Sequence, residues 1–378
     1  MTRLTFAAAA ALFLAAPAAA QSPVDLLPRE PGAETPPPPE VSPPEDKEDA
    51  QAVPPPPPSD PGPRFVLRGI ALDGARAVPA VDLAPIWTDL IGQEVSLGAL
   101  DAVVDNIGAA YRARGFVLSQ AVLPAQTVDG GVVRIQVIEG FIDRAMIQGG
   151  APNQQELARR LFEPPVGQAP MELETLERSV LLARDTFGGT VETVLEPSPE
   201  TFGAADLTVL IEGDPWTGFA AIDNRGSRLY GPLTVGGGAS AYNMLGLNER
   251  LDGLVAGSGD DGSLGLGQIR FDAPLTALNG TALDGGRLEV RADRSRADPD
   301  LTKSGSPEDI DTIQNETNLG AELFVPFRRT RSENLFGRAG LIWRESESVT
   351  GFAGDDDTDT DRLVILEARM SWDIADRT

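Results

Sequence analysis

The chain has 378 residues, with 31 Lys and Arg against 57 Asp and Glu and a formal net charge of -26 at pH 7. That balance argues against a nucleic-acid binder, which needs clustered cations to neutralise phosphates, and against electrostatic docking on anionic lipid. There is no Cys and no His, which removes thiol nucleophiles, disulfides, Cys/His zinc sites and the Ser-His-Asp triad together; carboxylate, Lys or Tyr chemistry stays open, but no acid–base pair stands out.

Residues 1–20 read as a signal peptide. Arg3 supplies the positive start, Leu4 to Ala16 an apolar run too short to span a bilayer, and Ala18-Ala19-Ala20 a small-residue cleavage site. Residues 21–63 read as a Pro-rich disordered linker. Pro37 to Pro39 and Pro54 to Pro58 lie in two proline runs, with the charged patch Glu45-Asp46-Lys47-Glu48-Asp49 between them. Such a composition buries little apolar surface and stays extended and solvated.

A compact α+β unit is expected at 64–140. A strand runs from Phe65 to Leu72 and a short helix from Val81 to Ile91. Ser96 stands where an N-cap belongs, and Leu97, Leu100, Val104, Ile107 and Tyr111 recur on one helical face. Gly115 fits the helix stop, Phe116 to Leu123 a strand ended by Pro124, and Asp129-Gly130 a turn before the alternating strand Val132 to Glu139. The order is β-α-α-β-β. It repeats at 141–214, with strands at Phe141 to Gln148, Thr190 to Glu196 and Asp206 to Glu212, and with Leu173, Leu176, Val180 and Ala183 on one face of the longer helix. Two tandem copies point to an array of small modules.

From Trp216 onward helical periodicity disappears. About eight segments of roughly ten residues follow, near 216–224, 233–243, 248–258, 263–273, 285–295, 315–326, 333–347 and 361–373. Arg287, Glu289, Arg291 and Asp293 alternate with Leu288, Val290 and Ala292; Val364, Leu366, Ala368, Met370 and Trp372 share a face opposite Glu367, Arg369 and Ser371. This alternation fits both a transmembrane β-barrel and a soluble β-sandwich. A first strand leaving the periplasm puts the connections 225–232, 259–262, 296–314 and 348–360 outside, two of them long and acidic. It puts Leu245-Gly246-Leu247, 274–284 and the basic Arg328-Arg329-Thr330-Arg331 inside. The run Asp355 to Asp361 is read as a solvated acidic loop; the Gly and terminal Glu of a calcium loop are missing at the required offsets, and no metal or cofactor is expected.

Taken in order, Tyr111-x-x-x-Gly115-Phe116, Leu123-Pro124-x-Gln126, Asp129-Gly130 and the end of the strand at Glu139-Gly140 resemble the first polypeptide-transport-associated (POTRA) domain of the hemolysin secretion/activation family, the outer-membrane transporters of two-partner (type V) secretion. Asp223-Asn224-Arg225-Gly226 followed by Gly231 is similar to the family's first barrel hairpin. The resemblance implies two POTRA domains, at 64–140 and 141–214, and the N-terminal part of an outer-membrane barrel at 215–378. It implies a secreted exoprotein of the hemolysin or adhesin class as partner, outer-membrane lipid around the barrel, and a capture edge on the middle strand of the second unit at Val191, Thr193 and Leu195. No phosphate-binding loop of the G-x-x-x-x-G-K-[ST] type is present, so export is expected to proceed without nucleotide hydrolysis.

Departures from the family are also visible. Its barrel has about twice as many strands, its Val-Arg-Gly-aromatic loop has no match, and Ala375-Asp376-Arg377-Thr378 lacks a terminal aromatic. Eight strands closed on themselves leave an interior filled by side chains, so the sequence is expected to be C-terminally truncated. An assembly factor for outer-membrane barrels and a soluble periplasmic binding module are the alternative functions.

Overall fold

The structure, a computed structural model, describes residues 64–258, 263–278, 280–304, 310–352 and 355–375; the expected signal peptide, the Pro-rich linker and the outward connection 259–262 lie outside the described residues. In the first unit, Gly69–Asp73 (β2) runs parallel to Val132–Ile138 (β5), which pairs antiparallel with Gln120–Val122 (β4) on its other edge. Phe65–Val66 (β1) pairs separately with Glu94–Val95 (β3). Against the sheet pack Ala80–Leu83 (α1) and the 17-residue Leu97–Ala113 (α2). Ser96 caps α2, its Oγ accepting from the Ala99 N–H at 3.4 Å. Leu100, Ile107 and Tyr111 meet Val133, Ile135 and Val137 in one buried core, each full burial of an apolar side chain contributing about 1.5–3 kcal/mol.

Three expected elements differ here. The strand Phe65 to Leu72 is two short strands, because Leu67 turns fully into the core and its N–H donates to Gln93 O. The helix Val81 to Ile91 is α1 followed by two 3-10 turns. Pro85 has no N–H to continue an α-helical ladder, and the later N–H groups close three residues back, Trp87 onto Ala84 and Leu90 onto Trp87. The strand Phe116 to Leu123 shortens to β4, since Phe116 N–H returns to Tyr111 O and Ser119 N–H to Phe116 O.

The second unit repeats the order with Phe141–Gly149 (β6), Pro152–Leu161 (α3), Leu173–Phe187 (α4), Thr190–Pro197 (β7) and Ala204–Glu212 (β8). Its sheet runs β6-β8-β7, so the strand in the middle of the sequence lies at the edge of the sheet. Ile142, Phe162, Met171, Leu182, Phe187 and Leu207 form the core. Leu118 of the first unit packs on this core, and backbone bonds from Leu173 N–H to Gly115 O and from Met171 N–H to Gly140 O tie the two units together.

Eight antiparallel strands follow in sequence order: Trp216–Asp223 (β9), Thr234–Tyr242 (β10), Arg250–Ser258 (β11), Leu264–Pro274 (β12), Arg287–Ala297 (β13), Ile310–Arg329 (β14), Glu333–Phe352 (β15) and Asp355–Ile374 (β16). Each pairs with its neighbour, and β9 and β16 form the two edges of an open sheet among the described residues. The last three strands have 20 residues, about twice the 9–11 that cross a bilayer. Asp355 to Asp361, expected as a loop, instead opens β16, paired from Asp355↔Phe352 to Asp361↔Ser346. Pairing with the long β15 overrides the poor strand propensity of Asp and draws the run out at about 3.4 Å per residue. No group of three Asp or Glu gathers for a metal among the described residues.

Three turns at one end of the sheet dock on the second unit. From the end of β14, Arg329 makes a bidentate pair with Asp185 of α4 (2.8 and 2.9 Å) and Arg328 reaches Glu174 at 3.1 Å, while Arg331 in the turn that follows reaches Glu177 at 3.9 Å. The connection after β12 accepts a hydrogen bond from Arg178 at Asp284 O, and Arg287 donates to Thr186 Oγ1 at 3.0 Å. Burial lowers the pKa of the Arg178 guanidinium, with Asp284 opposing the shift. Asn153 of α3 bonds Asn243, Asn248 and Gly246 O in the turn after β10. All three connections assigned to the inside thus meet the same unit. The length of 275–286 follows from its contact with α4.

Two outcomes test this packing. Gly285 has φ +78°, and a Cβ there would lie 2.9 Å from Leu182 Cδ2 and 3.0 Å from Pro326 Cγ. Gly285→Val is expected to pry α4 from the sheet. A protease that cuts after Glu212 or Asp214 then cleaves the connection at least about tenfold faster, equivalent to about 1.4 kcal/mol of easier local opening; an unchanged rate overturns the docking account. In the first unit, Glu139 Oε1 accepts from Tyr111 Oη at 2.9 Å and from the Arg76 and Ala77 N–H groups at 2.7 Å. Glu139→Ala should cost about 2–4 kcal/mol by denaturant unfolding and Tyr111→Phe about 1–2 kcal/mol, because only the first strands three donors.

Candidate functional site

The motif residues of the first unit are its fasteners. Burial and the hydrogen bond to Glu139 raise the Tyr111 phenol pKa, so it stays a neutral donor. Gly115 and Gly130 hold positive φ, where a Cβ is unfavourable. At Gly140 a Cβ would lie 2.2 Å from Leu118 O. Phe116 and Leu123 pack on the core, Phe116 with its ring centroid 5.9 Å from that of Tyr111. Pro124 stands two residues past the end of β4; the Gln126 amide then takes over the ladder beside β5, accepting from Arg134 N–H at 2.8 Å and donating to Arg134 O at 2.7 Å. Asp129 O accepts from Val132 N–H across the turn. In the barrel motif, Asp223 ends β9 and accepts from the Arg225 N–H at 3.0 Å; Asn224 lies between them. Gly226 N–H donates to Pro232 O in a space where a Cβ would meet Gly231 O.

Val191, Thr193 and Leu195 lie on β7, which pairs with β8 on one side and with no strand on the other among the described residues. Their side chains face inward: Val191 is fully buried in the core and Leu195 packs against it. Between its exposed end residues Thr190 and Pro197, β7 offers Glu192, Val194 and Glu196 to solvent, with Val194 53% exposed. The alternation Thr190-Val191-Glu192-Thr193-Val194-Leu195-Glu196 carried that signal. Arg184 of α4 donates to Val191 O at 3.3 Å, so one carbonyl of the strand is already held. Farther into the sheet, Arg144 bonds Asp206 at 2.7 Å and lies 3.5 Å from Glu200. The Asp206 hydrogen bond and these carboxylates raise its pKa above the ordinary value.

The eight-stranded sheet segregates charge by face. Val255, Ile269, Val290, Leu319, Leu341 and Leu366 are exposed on one face, Val255 and Ile269 at 65%. On the other, Asp252 accepts from Ser240, Arg250 and Arg270. Arg338 lies between Glu289 (3.3 Å) and Glu322 (3.5 Å) and over the Phe324 ring. Asn318 donates to Asp293 and Glu316 and accepts from Arg344. This is the pattern of a barrel wall with lipid outside and a wet interior, and it separates the barrel from the sandwich, whose inner faces are apolar. The alternation along β13 marks Arg287, Glu289, Arg291 and Asp293 for this face, but not their partners on other strands.

Residues 65–140 match the POTRA domain, ShlB-type. The heme/hemopexin transporter protein HuxB of Haemophilus influenzae (strain 86-028NP) is 25% identical over 172 residues, 45% of this chain and 30% of the relative. The outer membrane transporter CdiB of Escherichia coli is 29% identical over 199 residues, 50% of this chain and 32% of the relative. The matched stretch thus spans about a third of these curated relatives. The solved structure of CdiB from Escherichia coli has a TM-score of 0.60 at 20% identity, covering 84% of this chain and 58% of that one, a likeness of fold. With a ShlB-type POTRA domain at 65–140, a second unit of the same order and a charge-segregated antiparallel sheet, the chain is a relative of the two-partner secretion transporters of the outer membrane.

Proposed function

We propose that this chain works in the outer membrane of a Gram-negative bacterium as a transporter. Its POTRA units, in the periplasm, take up a partner exoprotein of the hemolysin or adhesin class, and the barrel conducts it outward without nucleotide hydrolysis. The observation that carries the proposal is the attachment of α3 and α4 to all three turns at one end of a sheet with one apolar and one charged face. It fixes the unit that carries β7, whose outer edge pairs with no strand among the described residues, at the end of a wall whose charged face keeps a moving polypeptide hydrated.

An edge strand captures an extended chain through backbone hydrogen bonds, which tolerate many sequences. This suits a long passenger that is not yet folded. Capture then needs no chemistry from the protein, in keeping with relatives that are transporters by name. The fully buried Val191 belongs to the folding core, so a probe of this edge belongs on the solvent-facing Val194.

In the native host, loss of the gene is expected to remove one large exoprotein from the medium and leave other outer-membrane barrels at normal abundance. A photoreactive side chain at Val194 should crosslink that exoprotein during export, and one at the exposed Val364 on the apolar face should not. An unchanged set of secreted proteins sinks the proposal. A general loss of outer-membrane barrels supports the assembly alternative instead.

A further inference from the structure

We propose that the β7 edge selects an extended segment carrying a basic, an apolar and a second basic residue at every other position; this rests on the capture role proposed above. Strand side chains alternate between faces, so a chain added beside β7 sets its residues opposite Glu192, Val194 and Glu196 at positions j, j+2 and j+4. The two glutamates are four residues apart, about 13 Å along a strand, and both are exposed. Neither has an ion-pair partner among the described residues, and Val194 between them is half exposed.

The neighbouring strand sharpens the choice at one end. Glu196 stands directly opposite Asp206 of β8, and like charges in that relation repel. Asp206 is only 7% exposed, and its Oδ1 has no hydrogen-bond partner among the described residues. The cation nearby, Arg144, lies on the far side of β8 and is shared by Asp206 Oδ2 and Glu200. Negative charge therefore exceeds positive charge around Glu196, and a guanidinium or ammonium arriving on the open edge balances it. At the other end, Glu192 stands opposite Leu210, which offers no charge. A carboxylate-bearing segment meets repulsion at both ends, which makes the edge a filter as well as a clamp.

The test uses the intact protein in detergent micelles and fluorescent nine-residue peptides on a threonine background. One carries Lys-x-Val-x-Lys, one Glu-x-Val-x-Glu, and one the same Lys and Val residues with the two lysines adjacent. The first is expected to bind about tenfold tighter than the second, the sum of two exposed cross-strand ion pairs, and several-fold tighter than the third. Raising the salt should erase both differences. Glu192→Gln with Glu196→Gln should bring the ratio to one without disturbing the fold, and E192K with E196K should invert it. Equal affinity for the two lysine peptides, a preference that survives the double substitution, or no binding by any peptide overturns the proposal. If the exoprotein still crosslinks from Val194 in cells, the charge register alone has failed; if the crosslink is also absent, the capture role has failed with it.

Discussion

Each strand from β9 to β16 faces two different solvents, and the period of two in a strand allows no compromise between them. A slip of one residue against a neighbour would move Asp252, Arg270 and Glu289 to the face that now carries Val255, Ile269 and Val290. The charged face holds this register because its members answer one another across strands. Glu289 stands opposite Glu322, a repulsive relation taken alone, and Arg338 from the next strand lies within 3.5 Å of both. Removing one member leaves an uncompensated charge at low exposure, which costs more than the intact pair contributes. The ladder therefore specifies alignment more than it adds stability.

The same economy of faces governs α4. Leu176, Leu182 and Phe187 fill the core of the second unit, while Glu174, Arg178, Asp185 and Thr186 reach the turns of the sheet. One helix is thus core for its own unit and bracket for the next. This explains why the basic run Arg328-Arg329-Thr330-Arg331 stands at an inner turn: its charges meet the acidic side of α4. Most of these pairs are exposed and weak singly, but the bidentate Arg329–Asp185 pair and the bond from the well-buried Arg287 to Thr186 also fix orientation.

Much of this architecture was legible because its signals are local. The core stripe of α2, its Ser96 cap, the two β-α-α-β-β units and all eight barrel strands follow from periodicity and turn residues. What was missed depends on partners distant in sequence. The run Asp355 to Asp361 reads as a loop by composition and becomes a strand because β15 extends far enough to pair with it. Leu67 breaks an apparently continuous strand because its side chain turns fully into the core. At the edge, the resemblance led to β7 through Val191, Thr193 and Leu195, while the alternation of these residues with Glu192, Val194 and Glu196 already marked the opposite face as the one turned to solvent.

That distinction bears on how the exporter proposed above holds a chain and still lets it go. Backbone pairing along an edge gives affinity without regard to sequence, and each added residue strengthens it. β7 has eight residues, and Arg184 already occupies one of its carbonyls, so the proposed clasp stays limited in length. Selectivity then has to come from groups that discriminate without gripping. Exposed carboxylates meet this need, since their ion pairs are worth a fraction of a kcal/mol each and exchange readily with water, whereas a buried pair would have to be desolvated on entry and rehydrated on release. β7 carries Glu192 and Glu196, with Val194 between them, on the solvent face and Val191 and Leu195 on the core face, so the proposed recognition stays weak and local while the fold behind it stays intact.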